Sequence, residues 1–186
     1  SEFRSVTEPY LWVMDLATGE RRRVLPAPGA DPTRTVASTE VNFSRDGRGL
    51  FLTTDRDGEF QRASYLDLAT GALEAFGPAN WDVEQLALSR DGRTIAMVVN
   101  EAGVGVLRLF DADTRRELTR PQVPIGAVGS VQWHPDSTVL AFNLDSSRSP
   151  GDVYVLDVPG NRVSRWTESK VAGLDASRFA VQTPIE

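Results

Sequence analysis

Apolar and polar positions alternate along this chain in short runs, and the runs belong to a phrase that occurs three times. Val41-Asn42-Phe43 leads into Ser44-Arg45-Asp46-Gly47, Leu86-Ala87-Leu88 into Ser89-Arg90-Asp91-Gly92, and Val131-Gln132-Trp133 into His134-Pro135-Asp136-Ser137. A period of two predicts a strand with one face turned inward. Asp-Gly tolerates the positive φ of tight hairpins, so each polar stretch predicts a turn. An apolar segment then leaves the turn: Leu50–Thr53, Thr94–Val99 and Thr138–Phe142. The second and third are apolar at consecutive positions, which predicts strands buried on both faces, as between stacked sheets. Asp46, Asp91 and Asp136 recur every 45 residues (91 − 46 and 136 − 91). A fixed interval of this size marks a repeat architecture.

A second phrase follows each first one. It reads Tyr65-Leu66-Asp67-Leu68-Ala69-Thr70-Gly71, Leu109-Phe110-Asp111-Ala112-Asp113-Thr114-Arg115, and Val155-Leu156-Asp157-Val158-Pro159-Gly160-Asn161. It predicts another strand and turn, and a last short strand follows at Leu73–Phe76, Glu117–Leu118 and Arg162–Trp166. Four strands in meander order make one propeller blade. The fold class is therefore all-β, a partial β-propeller of about 3.5 four-stranded antiparallel blades. Full blades are expected at 38–77, 81–121 and 126–167. A half blade is expected at 9–25, where Asp15-Leu16-Ala17-Thr18-Gly19 repeats the second turn with no first or second strand before it. Residues 26–35 read as a loop between blades. Residues 168–186 break the repeat and read as an exit segment, with a helical turn at Leu174–Phe179 and an extended end at Val181–Glu186.

Composition narrows the function classes. The 186 residues carry 20 basic against 26 acidic side chains, a net charge of −6. That balance argues against a general nucleic-acid binder, which shows a basic face. No apolar run approaches the roughly 18 residues of a membrane span, so no membrane partner is expected. There is no cysteine, hence no disulfide framework and no thiolate metal site. The absence of cysteine fits a cytoplasmic location, which is the expectation, with a periplasmic or secreted one left open.

Candidate chemistry is sparse. The one histidine, His134, is read as the turn counterpart of Arg45 and Arg90 and as architectural. No Gly-x-Ser-x-Gly elbow and no Gly-rich phosphate loop is present. Asp55-Arg56-Asp57-Gly58-Glu59 opens like a calcium loop but lacks the later ligands, and reads as a hairpin turn. Glu40, Asp82 and Glu84 lie near the innermost strands, and Asn42, Gln85 and Gln132 would line a propeller channel. Trp12, Trp133 and Trp166 are expected in the core between blades. No catalytic residue, cofactor or metal is assigned.

The repeats resemble the TolB-like (PD40) form of the propeller blade. The residues that carry this are Ser44-x-Asp46-Gly47, Ser89-x-Asp91-Gly92 and the His134-Pro135-Asp136 variant, each followed about 20 residues later by the Asp-x-x-Thr-Gly type of turn. The tail adds Arg165-Trp166-Thr167-Glu168-Ser169, Gly173-Leu174-Asp175, Phe179 and Pro184-Ile185-Glu186, which looks like the segment leaving the propeller of S9 (prolyl oligopeptidase family) serine peptidases. That resemblance implies a parent peptidase in which an α/β-hydrolase domain carries a Ser/Asp/His triad and the propeller gates its peptide substrate. It implies a non-catalytic role for this chain, with the hydrolase domain as partner. Three and a half blades leave open faces, so self-association is also expected. Two other readings stay open: a TolB-like module that recruits a protein, and a stand-alone propeller enzyme such as a metal-dependent lactonase or a glycosidase.

Overall fold

Strand follows strand along the chain, each pairing antiparallel with its neighbour in sequence. The structure, a computed structural model, describes residues 2–3, 9–31 and 35–180. The expected extended end at Val181–Glu186 lies outside the described residues, as does part of the inter-blade loop. The chain divides into two compact units, Ser1–Asn80 and Trp81–Glu186.

The first unit holds two sheets. β1 (Glu2–Phe3), β2 (Pro9–Met14) and β3 (Arg21–Leu25) form one; β4 (Ser38–Phe43), β5 (Gly49–Thr54), β6 (Arg62–Asp67) and β7 (Leu73–Ala75) form the other. β1 corrects the expectation that no strand precedes Pro9: Glu2 pairs with Tyr10 and Phe3 with Pro9. The Glu2 carboxylate accepts a bond from Trp12 Nε1 at 3.1 Å, a tie that no repeat pattern announces. Leu11, Val24 and Leu25 from the first sheet pack against Leu50, Leu52 and Leu66 from the second. All six positions of β5 are buried. Its other face puts Phe51 against Tyr65 and Phe76, at ring-centroid distances of 5.2 and 6.1 Å.

The second unit holds β8 (Asp82–Leu88), β9 (Thr94–Glu101) and β10 (Val104–Asp111), then β11 (Ala127–Trp133), β12 (Val139–Ser146), β13 (Ser149–Asp157) and β14 (Arg162–Arg165). Its core joins Ala96, Val98, Leu107 and Leu109 to Val128, Leu140, Phe142, Leu144 and Leu156. Each fully buried Leu or Phe contributes about 1.5–3 kcal/mol. β9 buries both faces as expected. The segment Thr138–Phe142 does not: Leu140 and Phe142 are buried, while Val139 and Ala141 are half-buried and Thr138 is exposed. Two-sided burial was instead realised in β5.

The expected fourth strand at Glu117–Leu118 is reduced to a single bridge between Phe110 and Glu117. The bond from Leu118 N to Leu109 O, 2.8 Å, extends it by one residue. Pro121 and Pro124 follow closely, and a proline has no N–H to give a ladder. Side chains replace the missing strand. Arg108 donates through Nε and Nη2 to both oxygens of Glu117, at 2.8 and 2.5 Å, and through Nη1 to Glu101 at 3.3 Å. The expected helical turn in the tail is present as a single 3-10 turn at Ala176–Arg178.

Candidate functional site

Each first turn is a small polar machine built from its own side chains. Ser44 Oγ donates to Asp46 Oδ1 (2.7 Å) and accepts from Gly49 N (3.0 Å), while Asp46 Oδ1 accepts from Arg48 N (3.1 Å). Ser89 and Asp91 repeat the arrangement at 2.6, 2.9 and 3.1 Å, with Thr94 N and Arg93 N as the donors. Gly47 and Gly92 sit at φ 70° and 72°, and Ser137 at 65°. His134 is not the counterpart of Arg45 and Arg90. The 45-residue interval puts it in the place of Ser44 and Ser89, and its Nδ1 lies 3.0 Å from Asp136 Oδ1. Both side chains are more than half exposed. The Asp136 carboxyl is lowered to about 2, first by the Thr138 amide, then by the Thr138 hydroxyl and by His134. His134 therefore completes a turn.

The second turns follow the same logic. Asp67 Oδ1 accepts from Ala69 N, Thr70 N and Thr70 Oγ1 at 3.0, 2.7 and 2.9 Å, and Asp111 Oδ1 accepts from Thr114 N and Oγ1 at 2.7 Å each. The fifth residue is left-handed throughout: Gly19, Gly71, Arg115 and Asn161.

The candidate inner-strand residues are placed around β-bulges. β4, β8 and β11 each carry one extra residue, between Thr39 and Asn42, Val83 and Gln85, and Gly129 and Gln132. Glu40 sits in the first bulge at φ 51°, and its carbonyl accepts from Asn42 Nδ2 at 3.0 Å. Glu84 accepts from Asn100 Nδ2 at 2.8 Å. Gln132 is exposed. Gln85 has a structural use: its Oε1 accepts from Val131 N at 3.1 Å. Trp133 Nε1 to Ala87 O (3.0 Å) and Asp91 N to Ser137 Oγ (3.0 Å) join the same two sheets. All three ties span 46 residues, so the repeat itself positions the seam. Among the described residues no group of three or more His, Asp or Glu is arranged to hold a metal ion. Asp55, in the loop that resembles a calcium site, accepts from Ala37 N at 2.8 Å.

Of the three tryptophans expected between blades, only Trp133 is buried, at 9% exposed. Trp12 is 37% and Trp166 71% exposed. Trp12 lies on the face of β2 away from Leu11, with the Arg21 guanidinium 5.8 Å from its ring. Trp166 follows the last strand, and its ring is exposed although its N–H still bonds Val153 O. Alternation places a residue on a face but does not say whether another layer covers that face.

Sequence reasoning missed a buried carboxylate with four hydrogen-bond donors. The Asp152 side chain is fully buried, and it gathers Ser149, Arg165, Thr167 and Ser169. Those donors hold its carboxyl far below the usual range, the Ser149 hydroxyl foremost. The only advance signal was an acid in a strand between Gly151 and Val153, where burial demands partners. A cleft of about 280 Å³ in the first unit is lined by Arg22, Val24, Ala27, Pro28 and the Leu66–Gly71 turn. Arg22 Nη2 there donates to Leu68 O at 2.8 Å.

No family model and no curated protein matches the sequence. Solved structures do match in fold. A prolyl endopeptidase superposes with a TM-score of 0.77 at 14% identity, over 94% of this chain and 25% of that one. Prolyl oligopeptidase B from Galerina marginata gives 0.75 at 18% identity, over 92% of this chain and 25% of that one. TolB from Acinetobacter baumannii gives 0.61 at 18% identity, over 84% and 37%. The chain spans about a quarter of the length of the prolyl peptidases it matches. Its fold is therefore that of part of a β-propeller, matching the N-terminal propeller part of S9-family peptidases.

Proposed function

We propose that this chain is the non-catalytic propeller portion of an S9 prolyl oligopeptidase-like serine peptidase, acting as scaffold and substrate gate in peptide hydrolysis. The observation that supports this most is the superposition of more than nine-tenths of the chain on about a quarter of each prolyl peptidase. The polar chemistry points the same way. Its turn aspartates bond their own turns, and its histidine serves an exposed turn rather than a nucleophile. The partners in this reading are an α/β-hydrolase domain and the peptide that domain cleaves, in the cytoplasm. The likeness to TolB favours a second reading, a propeller that recruits a protein partner. One experiment separates them: sequencing the native reading frame on both sides of this segment. A downstream Gly-x-Ser-x-Gly elbow, followed by an acid and a histidine, is the expected result. A frame carrying only further Asp-Gly repeats would sink the peptidase reading and leave the recruiting module.

A further inference from the structure

We infer that Asp152 is a lock, and that the chain leaving the last sheet, residues 166–179, is a strap whose attachment depends on this one buried carboxylate. The carboxylate is saturated. Asp152 Oδ1 accepts from Thr167 Oγ1 at 2.9 Å and Ser169 N at 2.8 Å, and Oδ2 accepts from Arg165 Nη2 at 2.6 Å and from Ser149 Oγ. A carboxylate offers about four acceptor sites, so all are in use. Three of the four donors come from residues 165–169, at or beyond the end of β14 (Arg162–Arg165). They fasten what leaves the sheet rather than the sheet itself.

Around the carboxylate the same segment is laced at three more points. Val153 N donates to Thr167 Oγ1 (2.9 Å), Trp166 N to Val153 O (2.8 Å), and Ser169 Oγ to Gly151 O (2.7 Å). Farther along, Arg148 Nε reaches Phe179 O at 3.4 Å. The strap buries no apolar side chain fully: Trp166 is 71% and Leu174 64% exposed, and Val171, Ala176 and Phe179 are half-buried. Polar bonds therefore decide whether it stays, and Asp152 accepts more of them than any other group there. The blade has a separate support. Asp152 pairs in the ladder with Leu144, which belongs to the apolar core with Phe142 and Leu156. Losing the lock thus frees the strap, with Trp166 and Leu174 on it, while the sheet stays folded.

The test is hydrogen exchange by mass spectrometry on the intact chain, comparing wild type with Asp152→Asn, Asp152→Ala and Thr167→Val. Thr167 is exposed, and its change removes one bond to the carboxylate together with the bond from Val153 N. In wild type, peptides covering 166–179 are expected to be protected. In both Asp152 variants that protection falls about tenfold or more while β11 and β12 keep theirs; Thr167→Val gives a smaller loss in the same peptides. Unchanged strap protection in variants with a protected sheet overturns the lock. So does a wild-type strap that already exchanges freely. Equal loss in strap and sheet across all three variants overturns it as well, since Asp152 would then be supporting the blade.

Discussion

At the scale of the residue, one backbone conformation recurs in three chemical settings. Gly47, Gly92 and Ser137 all hold the left-handed region after an aspartate. Nothing lies within 4 Å of where a Gly47 side chain would begin, so any penalty there is conformational. Gly47→Val and Gly92→Val are each expected to destabilise by about 1 kcal/mol or more, read as a lower urea midpoint; unchanged midpoints would refute the turn geometry. Ser137→Gly should be close to neutral, because relief of backbone strain is offset by loss of the Asp91 N–Ser137 Oγ bond. The carboxylates in these turns also set an acid limb. Asp136 titrates at about 2 folded against 3.8 for the free group, and Asp15, Asp46, Asp67 and Asp111 are lowered too. Between those values the unfolded chain binds more protons, so stability is present above about pH 4 and drains away as pH falls towards 2. Asp136→Asn should lower the melting temperature at neutral pH and converge with wild type near pH 2. A constant difference across that range would show that the turn does not depend on this charge.

At the scale of the element, the third sheet shows how a strand is replaced. Arg108 is 14% and Glu117 29% exposed at the side chain, which places the pair between a surface and a buried ion pair. The Arg108 guanidinium lowers the Glu117 carboxyl, chiefly by hydrogen bonding. Glu117→Gln is expected to cost about 1–2 kcal/mol, with faster exchange at the Leu118 amide. A variant as stable as wild type would mean that the Phe110–Glu117 bridge holds alone. Most elements were legible because the turn chemistry is local: Ser44, Asp46 and Gly47 carry their partners within five residues. β1 was not legible, since two residues have no period. Asp152 was not legible because three of its four donors arrive 13 to 17 residues later. Nothing in a strand pattern reports that.

At the scale of the whole molecule, each unit has its own apolar cluster, and surface remains that a finished propeller would not show. Trp12 and Met14 are 37% and 53% exposed on one face of the first sheet. Apolar side chains exposed on one face favour association. Light scattering should give a mass that rises with concentration; a strictly constant monomer mass would refute this. The fold was readable from the repeat, but function was not. A blade repeat dictates how strands pack, whereas a role depends on what the blades face. The sheet order adds a consequence in time. Among the described residues, every strand after the first in its sheet bonds to the one made just before it, with no crossover. Such topology keeps the strand pairing of each sheet within one stretch of sequence, so no pairing waits for a distant segment. Each sheet can close as soon as its own strands have emerged from the ribosome, long before its successor is made. During synthesis the newest sheet is therefore the one whose packing face still waits for a neighbour, and that face adds to what the first sheet leaves exposed.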